Sequence, residues 1–262
     1  MALVYGGSTE AVMMATPADL EDFAIGFSIT EGVVEHPGEI ADLAVVHGPD
    51  GIELRMWLAG DRETAYRGRR RRLAGPTGCG LCGIDSLAEA VRPAGRVVCD
   101  APFDARRIPE AIAALASAQR LNHETRATHA AGFFRPDCGV VAIREDVGRH
   151  NALDKLAGAL RRGAADVSGG AVVITSRVSV EMVQKTAAIG APVLIAMSAP
   201  TALAVRTAEA ANLTLIAVAR GQSSQVFTHP YRLRRSREQL IKATGDLSFG
   251  PLPGPTRVAP AH

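Results

Sequence analysis

The last third of the sequence predicts an α/β fold with a mostly parallel sheet covered by helices. Three short apolar segments, 171–175, Val193–Ala196 and 213–218, have the character of buried strands. Helical segments separate them over 179–189 and 200–211. Strands that alternate with helices form β–α–β units, in which the helices cover both faces of a parallel sheet.

The first hundred residues predict a smaller α+β part. Short strands are expected at Ala2–Tyr5 and 11–15, on either side of a Gly-Gly turn. Thr16 is a good helix cap and Pro17 a good first helical residue, so a helix is expected to begin there. Residues 52–58 alternate between Ile52, Leu54, Met56, Leu58 and the intervening Glu53, Arg55, Trp57, which indicates a strand with one buried face.

The middle of the chain predicts one helix and one pair of strands. Pro109 suits the start of a helix over 109–121. The strands are expected over 128–134 and 140–143, with a turn near Pro136. The apolar residues predicted to face inward from the helix are Ile112, Leu115 and Ala116.

These elements divide the chain into three parts. We expect an N-terminal α+β part over 1–100, an α/β core over 101–235 and an extension over 236–262. The extension is rich in Pro, Gly and charge from about residue 245, so it is expected to be partly disordered.

Composition excludes several classes of protein. The chain has 262 residues, 47% hydrophobic residues and a net charge of +2, which gives no reason to expect nucleic-acid binding. No apolar run reaches the roughly 18 residues of a membrane span, and no signal peptide is evident. Four cysteines without a framework of spacings indicate a reducing compartment, so a cytoplasmic protein is expected.

Two cysteines form the most informative motif. Cys79 and Cys82 are three residues apart and are accompanied by glycines at 78, 80 and 83. A capping box that opens at Ser86 and the arginines of 67–72 both favour a thiolate. The pair therefore indicates reactive cysteines, although the same spacing also suits half of a zinc site.

Other clusters leave alternatives open. His150, with Asp146, Arg149 and Asp154 nearby in sequence, suits either an acid–base group or a hydrogen-bonded structural network. His129 with Cys79 and Cys82 suggests a zinc-dependent deaminase-like hydrolase. Ala131 stands where such an enzyme needs a glutamate, and the cysteine pair precedes the histidine, which weighs against that alternative.

Polar residues follow the predicted parallel strands. Ser176, Arg177, Ser198 and Arg220 stand at strand ends. Ligands of such sheets bind beyond the carboxyl ends of the strands, so these residues are candidate ligand contacts. Cys99 and Cys138 are isolated and are expected to be small buried side chains.

Four long motifs together resemble the formate dehydrogenase accessory sulfurtransferase family, FdhD. They are TGCGLCG at 77–83, EDVGRHNALDK at 145–155, SRVSVEMVQK at 176–185 and FTHPYR at 227–232. The resemblance runs from about residue 2 to 232. It suggests that the variable leader of the family is missing and that the residues after 235 are an addition.

The resemblance implies a cytidine-deaminase-like core without a metal of its own, in a homodimer. It implies that a cysteine desulfurase donates sulfur as a persulfide, and that the substrate receiving it is the bis-molybdopterin guanine dinucleotide cofactor, with molybdenum or tungsten, destined for formate dehydrogenase. GDP or GTP would mimic part of that cofactor. The residues that match the cofactor-binding segment of the family are Phe227, Thr228, His229, Pro230, Tyr231 and Arg232. Since that cofactor is a large polyanion, Arg177, Arg220, Arg232 and the arginines of 67–72 are candidate phosphate partners.

The residues alone do not choose between the two thiols. Cys82 is nearer the helix that opens at Ser86, whereas Cys79 lies between two glycines and is less hindered. The resemblance places the persulfide on the first cysteine, so Cys79 is assigned as the carrier and Cys82 as a supporting thiol. A third hypothesis is a nucleotide-binding chaperone with no chemistry at the thiols.

Overall fold

The computed structural model describes residues 1–60, 62–64, 66, 94–221 and 223–234, and for Arg220 the backbone alone. The cysteine motif with Cys79 and Cys82, the arginines of 67–72 and the predicted extension over 236–262 lie outside the described residues.

A four-stranded sheet forms the N-terminal part. Its strands are β1 (Ala2–Tyr5), β2 (Ser8–Val12), β3 (Ile40–Gly48) and β4 (Gly51–Leu58), in the order β2-β1-β4-β3. β1 is parallel to β4, and the other two pairs are antiparallel. Helix α1 (Leu20–Thr30) covers one face, because Phe23 and Phe27 pack with the inward-facing residues of β4.

A six-stranded sheet forms the centre of the molecule, in the order β11-β10-β9-β8-β6-β7. The strands are β6 (His129–Arg135), β7 (Gly139–Asp146), β8 (Ala171–Ile174), β9 (Val193–Ala196), β10 (Thr214–Arg220) and β11 (Ser223–Val226). Two short strands, β5 (Phe103–Asp104) and β12 (Leu233–Arg234), pair with each other in parallel.

Helices cover both faces of the central sheet. In chain order the helices of this part are α2 (Ile108–Ala118), α3 (Arg120–Thr125), α4 (Arg149–Arg162), α5 (Val180–Ile189) and α6 (Ala202–Ala210). The short α3 has no buried residue and is held at the end of β7, where the N–H groups of Leu121 and Asn122 donate to Glu145. Successive residues of a strand pack on opposite faces of the sheet. Leu194 packs on the face covered by α4, α5 and α6, and Ile195 packs on the face covered by α2. Helix α1 lies between the small sheet and α4, so the layers run from the small sheet through the helices to the central sheet and α2.

The prediction of a mostly parallel sheet is wrong, because the central sheet is mixed. β8, β9 and β10 are parallel, as their β–α–β connections require. The hairpin of β6 and β7 joins β8 antiparallel, and β11 returns antiparallel beside β10. Local apolar patterns carry no strand direction, which explains the error. The cytidine-deaminase-like core implied by the resemblance stays a prediction.

Two glycines allow α1 and α4 to cross in backbone contact. A Cβ built on Gly26 would lie 1.7 Å from the carbonyl oxygen of Asp154, and one on Gly158 would lie 1.9 Å from the carbonyl oxygen of Asp22. Any side chain at either position would drive the helices apart. The small sheet is thereby held against the core by a helix pair that needs both glycines.

The predicted helix start at Thr16 is wrong, since α1 begins at Leu20 after Asp19 in a left-handed conformation. Thr16 instead makes tertiary hydrogen bonds. Its N–H donates to Asp146, its hydroxyl accepts from the N–H of Val147, and its carbonyl accepts from Lys155. A good capping residue is used here for docking, which a local pattern cannot reveal.

Three smaller expectations also change. Ala116 is exposed, and Ala111 takes the inward position of α2 instead. Cys138 is exposed rather than buried, and Cys99 is partly buried with its thiol donating to the carbonyl of Ser168. In the described ranges, no helix has both the length and the apolar character that crossing a membrane requires.

Candidate functional site

The central sheet has two ends that carry different candidate residues. The amino edge is defined here as the end where β8, β9 and β10 begin, at Ala171, Val193 and Thr214. The carboxyl edge is the end where the same strands finish. β10 has 7 residues, so the edges are about 20 Å apart.

The segment 227–232 lies at the amino edge, because β11 runs antiparallel to β10 and ends beside its start. The N–H of Phe227 donates to the carbonyl of Leu215 at 2.8 Å. Buried Thr228 donates to the carbonyl of Leu213 at 2.6 Å and accepts from the N–H of Leu215 at 2.8 Å. These bonds continue the strand pairing and fix where the segment begins.

Arg232 holds the other end of the segment from inside the protein. Its side chain is only 1% exposed. Its guanidinium donates to the hydroxyl of Thr214 at 2.6 Å and to the Asp100 carboxylate at 2.7 Å. The hydrogen bond from Arg232, and after it the one from Asn212, lowers the pKa of Asp100 below its ordinary value. In this conformation Arg232 shapes the segment, and its guanidinium is not open to a ligand.

Two aromatic rings of the segment reach the surface. Tyr231 is 66% exposed and Phe227 36%. The Tyr231 hydroxyl donates to Asn212 at 2.8 Å, which fixes the direction of the ring. His229 adopts a left-handed backbone with φ of 47°, and its ring meets that of Tyr231 edge-on. The exposed Pro230 lies between them. The segment thus presents fixed aromatic surface suited to a planar ring.

The chain that follows the cysteine motif returns to this same edge. The N–H of Val97 donates to the carbonyl of Ala211, and the side chain of Asn212 donates to the carbonyl of Val97 at 2.9 Å. Asp100, three residues further on, is the carboxylate that meets Arg232. The structure therefore brings residues 94–100 and 227–232 together.

The other predicted ligand residues lie at the carboxyl edge. Arg177 follows β8 and is exposed, and Ser198 follows β9. Arg220 ends β10 and pairs with Ser223 through its backbone. Within one chain, Arg177 and the segment 227–232 consequently stand at opposite ends of the sheet.

The polar motif after β7 contains a buried network. Lys155 and Asp146, both fully buried, form an ion pair of 2.7 Å. Asp146 also accepts from the N–H of Gly148 and from the side chain of Asn151, which donates to the carbonyl of Met14 as well. These contacts confirm the structural interpretation for Asp146, since every group has a hydrogen-bond partner and the network docks residues 14–16.

A second buried pair joins three helices. Lys185 of α5 donates to Asp154 of α4 at 2.8 Å and to Glu31, next to α1, at 2.7 Å. Although burial lowers it, these carboxylates raise the pKa of Lys185 above its ordinary value. Burial raises the pKa of Asp154 to about 6, so both partners are charged at neutral pH and the pair ties the helices together.

His150 stands apart from both networks. Its Nε2 is buried without a hydrogen-bond partner in the described chain and lies 3.9 Å from the Glu181 carboxylate. Burial first, then the charges of Arg149 and Lys185, lower its pKa to about 4. The imidazole is therefore neutral at physiological pH.

Zinc ligation has no support within the described residues. No group of three or more His, Cys, Asp or Glu side chains there could hold a metal ion. Ala131, at the position of the deaminase glutamate, is buried in the core beside β8. Burial and the charge of Arg149 lower the pKa of His129. Cys79 and Cys82 lie outside the described residues, so their part of this alternative stays a prediction.

Four residues of these sites were missed by sequence reasoning. They are Asp100, Asn212, Ser179 and Glu181. Asp100 and Asn212 stand in short loops with no motif, and their contacts span more than a hundred residues of sequence. Ser179 and Glu181 belong to the motif 176–185, which gave a resemblance without a role for each residue.

These features define a class of mixed α/β protein, with an aromatic segment at one edge of its central sheet and arginines at the other. Residues 1–234 match the sequence model of the FdhD/NarQ family. The chain belongs to this family, and the resemblance drawn from its motifs is confirmed.

Curated relatives and a solved structure agree. The chain is 56% identical over 237 residues to the sulfur carrier protein FdhD of Brucella abortus, covering 90% of this chain and 88% of the relative. It is 52% identical over 238 residues to that of Agrobacterium fabrum, covering 89% and 86%. A crystal structure assigned as a formate dehydrogenase accessory protein from Desulfotalea psychrophila matches with a TM-score of 0.67 and 25% identity, over 89% of this chain and 87% of that one.

Proposed function

We propose that this protein is a sulfurtransferase in the maturation of formate dehydrogenase, with Cys79 as the persulfide carrier. Family membership supports the sulfur-transfer role, since the relatives carry the name sulfur carrier protein. The observation that carries the proposal for this chain is the convergence of residues 94–100 and 227–232 at the amino edge. The segment that returns from the cysteine motif is bonded to the segment proposed to bind the cofactor.

The first chemical step needs only the cysteine motif. The Cys79 thiolate attacks the outer sulfur of a persulfide on a cysteine desulfurase, and the sulfur–sulfur bond of the donor breaks. The donor cysteine leaves as a thiolate, and the carried sulfur is then bonded to Cys79. Glycines at 78 and 80 leave space around this thiol for the approach of the donor.

Delivery of the sulfur as sulfide needs two electrons. Once the cofactor is bound, the Cys82 thiolate supplies them by attacking the Cys79 sulfur, which forms a Cys79–Cys82 disulfide and releases hydrosulfide toward the cofactor. A dithiol reductant of the cell restores both thiols, and where Cys82 is absent it attacks the Cys79 persulfide directly but more slowly. This sequence gives Cys82 the supporting role that the C-x-x-C spacing suggests.

The substrate that accepts the sulfur is proposed to be the bis-molybdopterin guanine dinucleotide cofactor. Tyr231 and Phe227 offer exposed aromatic faces on which a guanine or pterin ring can stack. Arg232 acts as a positioning residue for this surface, because its buried guanidinium is bonded to Thr214 and Asp100. GDP or GTP serves as an analogue of one half of the substrate.

The arginines at the carboxyl edge require a separate role. Arg177 and Arg220 stand about 20 Å from the aromatic segment. A dinucleotide cofactor is long enough to need phosphate partners away from its rings, and a homodimer supplies further edges. Both the dimer and the cytoplasmic location belong to this proposal.

Activation of formate dehydrogenase tests the proposal. Cys79→Ala should leave folding and GDP binding unchanged and abolish activation in cells that lack their own copy of the protein, while Cys82→Ala should impair activation less. Normal activation by Cys79→Ala and by Cys82→Ala alike would exclude the cysteine route. It would favour the nucleotide-binding chaperone, which needs no chemistry at either thiol.

A further inference from the structure

The carboxyl edge holds an arginine without an anionic partner. Arg149 is the first residue of α4, and its Nε is fully buried without a hydrogen-bond acceptor. No side chain of the described chain forms an ion pair with its guanidinium. Arg107 and Arg232 also have an unbonded buried Nε, yet both use their terminal nitrogens in hydrogen bonds. A partly buried cation without a counter-charge is costly, so its persistence calls for an explanation.

The position of Arg149 in its helix increases the free-energy cost of leaving this cation without a counter-charge. It stands at the helix N-terminus, where the dipole disfavours positive charge, and the first turn of α4 has no acidic residue. The cap, Gly148, supplies no side chain to the free N–H groups of that turn. A bound anion would neutralise the charge of the guanidinium and would also accept hydrogen bonds from the free N–H groups of the helix terminus.

Two other side chains at the carboxyl edge, at the starts of α4 and α5, have unused hydrogen-bonding atoms as well. The Oγ of Ser179, the cap of α5, is buried and makes no hydrogen bond with its helix or with any other described group. His150 Nε2 is buried and unbonded and faces Glu181, two residues after Ser179, at 3.9 Å. Three of the five such buried atoms in the described residues are therefore at this end of the sheet. Buried polar atoms without partners are uncommon, so their clustering points to a missing ligand.

We propose that Arg149, His150 and Ser179 form a binding site for a phosphate or diphosphate group, at the opposite edge of the sheet from the segment 227–232. A guanidinium, an imidazole and a hydroxyl from two helix starts match the several acceptor oxygens of a phosphate better than the two of a carboxylate. The neutral imidazole of His150 has one ring N–H to donate to a phosphate oxygen, and the Glu181 carboxylate lies 3.9 Å from its Nε2. Exposed Arg177 provides further positive charge at the same edge.

The inference deepens the proposed function and depends on it only for the identity of the substrate. A dinucleotide cofactor carries diphosphate groups, and this site would bind one of them. The site itself stands on contacts that do not involve the cysteines, so it can fail or succeed independently of sulfur transfer.

Calorimetry with inorganic pyrophosphate and the full-length chain tests the site. Charge-assisted hydrogen bonds are worth about 1.5–3 kcal/mol, so Arg149→Gln should weaken pyrophosphate binding by about ten- to a hundredfold. Arg206→Gln removes an exposed arginine of α6 and is the matched control, with affinity expected within about twofold of the unsubstituted protein.

A second, milder variant keeps the proposal testable if Arg149→Gln does not fold. Ser179→Ala removes a hydroxyl that makes no hydrogen bond in the described chain, so it should leave the thermal unfolding temperature unchanged and weaken pyrophosphate binding several-fold. The proposal is overturned if the unsubstituted protein does not bind pyrophosphate. It is equally overturned if folded Arg149→Gln and Ser179→Ala bind it as well as the control does.

Discussion

Arg232 donates a 2.7 Å hydrogen bond to Asp100, and this contact joins the segment proposed to bind cofactor to the chain that returns from the cysteine motif. The Arg232 side chain is buried and the Asp100 side chain is largely exposed, so the guanidinium contacts the carboxylate from the interior of the protein. The other terminal nitrogen of Arg232 donates a hydrogen bond to the hydroxyl of Thr214, at the start of β10. The amino edge is thereby built from three distant parts of the sequence.

Arg232→Met should therefore lower both stability and GDP affinity. The change removes a buried charge-assisted hydrogen bond to Thr214 and releases the segment, which should reduce GDP affinity at least tenfold. Asp100→Asn should give a weaker effect of the same kind. Calorimetry and thermal unfolding measure the two effects, and Arg234→Met, at an exposed neighbouring arginine, is the control. Full GDP affinity in a folded Arg232→Met protein would remove the positioning role.

Tyr231→Ala should separate ligand binding from stability. The ring is 66% exposed, so its loss should change the free energy of unfolding by less than about 1 kcal/mol. If guanine stacks on it, GDP affinity should fall about five- to a hundredfold, as is usual for base–aromatic stacking of about 1–3 kcal/mol. Fluorescence or calorimetric titration provides the affinity. Unchanged GDP binding in both Tyr231→Ala and Phe227→Ala would place the ring of the ligand elsewhere.

Gly26→Ala and Gly158→Ala should each destabilise the fold by about 3 kcal/mol or more. The added Cβ would meet backbone at 1.7 Å and 1.9 Å, and backbone cannot move aside as a side chain can. Gly169→Ala is the matched control, because a Cβ there has no heavy atom within 4 Å. Urea unfolding measures the three variants. Equal stability of Gly26→Ala and Gly169→Ala would show that α1 and α4 do not cross as described.

The strands and helices of the core followed from local patterns, but their arrangement did not. Val193–Ala196 was predicted with its observed bounds, because a short apolar segment between two helices is typical of a buried strand. The turn at Gly190, with φ of 90°, was equally readable from the glycine after an apolar stripe. Direction is a property of pairing, so nothing in 128–134 could show that β6 runs against β8.

The candidate residues show the same limit. Residues 227–232 were found by motif, and Arg177 and Arg220 by their position after strands, yet the two sets lie at opposite edges. The burial of Arg232 depends on Thr214 and Asp100, which only the folded chain brings to it. Sequence reasoning identified residues worth examining, and tertiary contacts decided which of them are open to a ligand.

His150 should make stability depend on pH in a window between about 4 and 6.5. Its folded-state pKa of about 4 is below the ordinary value of 6.5, because of burial and the charges of Arg149 and Lys185, against the opposing carboxylates of Glu181 and Glu31. At His150 the unfolded chain therefore binds more protons in this window, so the contribution of this residue to stability should rise with pH from 4 to 6.5 and be fully present above it. The gain is up to about 3 kcal/mol. Asp154, whose pKa burial raises to about 6, contributes the opposite slope, so only a comparison with a His150 variant shows the contribution of the histidine.

Comparison with His150→Gln isolates this contribution. The difference in free energy of unfolding between the two proteins, measured by urea titration at several pH values, should grow in favour of the unsubstituted protein as pH rises through the window. A His123→Gln variant, at an exposed histidine of α3, should show no such growth. A pH-independent difference for His150→Gln would mean that the imidazole is as accessible to protons when folded as when unfolded.

The central claim is that Cys79 carries the sulfur, and intact-mass spectrometry tests it most directly. The purified protein is incubated with a cysteine desulfurase and cysteine, and its mass is measured without reductant. The account predicts a gain of one sulfur atom in the unsubstituted protein and in Cys82→Ala, no gain in Cys79→Ala, and loss of the added sulfur after treatment with a dithiol. A gain of one sulfur in Cys79→Ala equal to that in the unsubstituted protein would contradict the account.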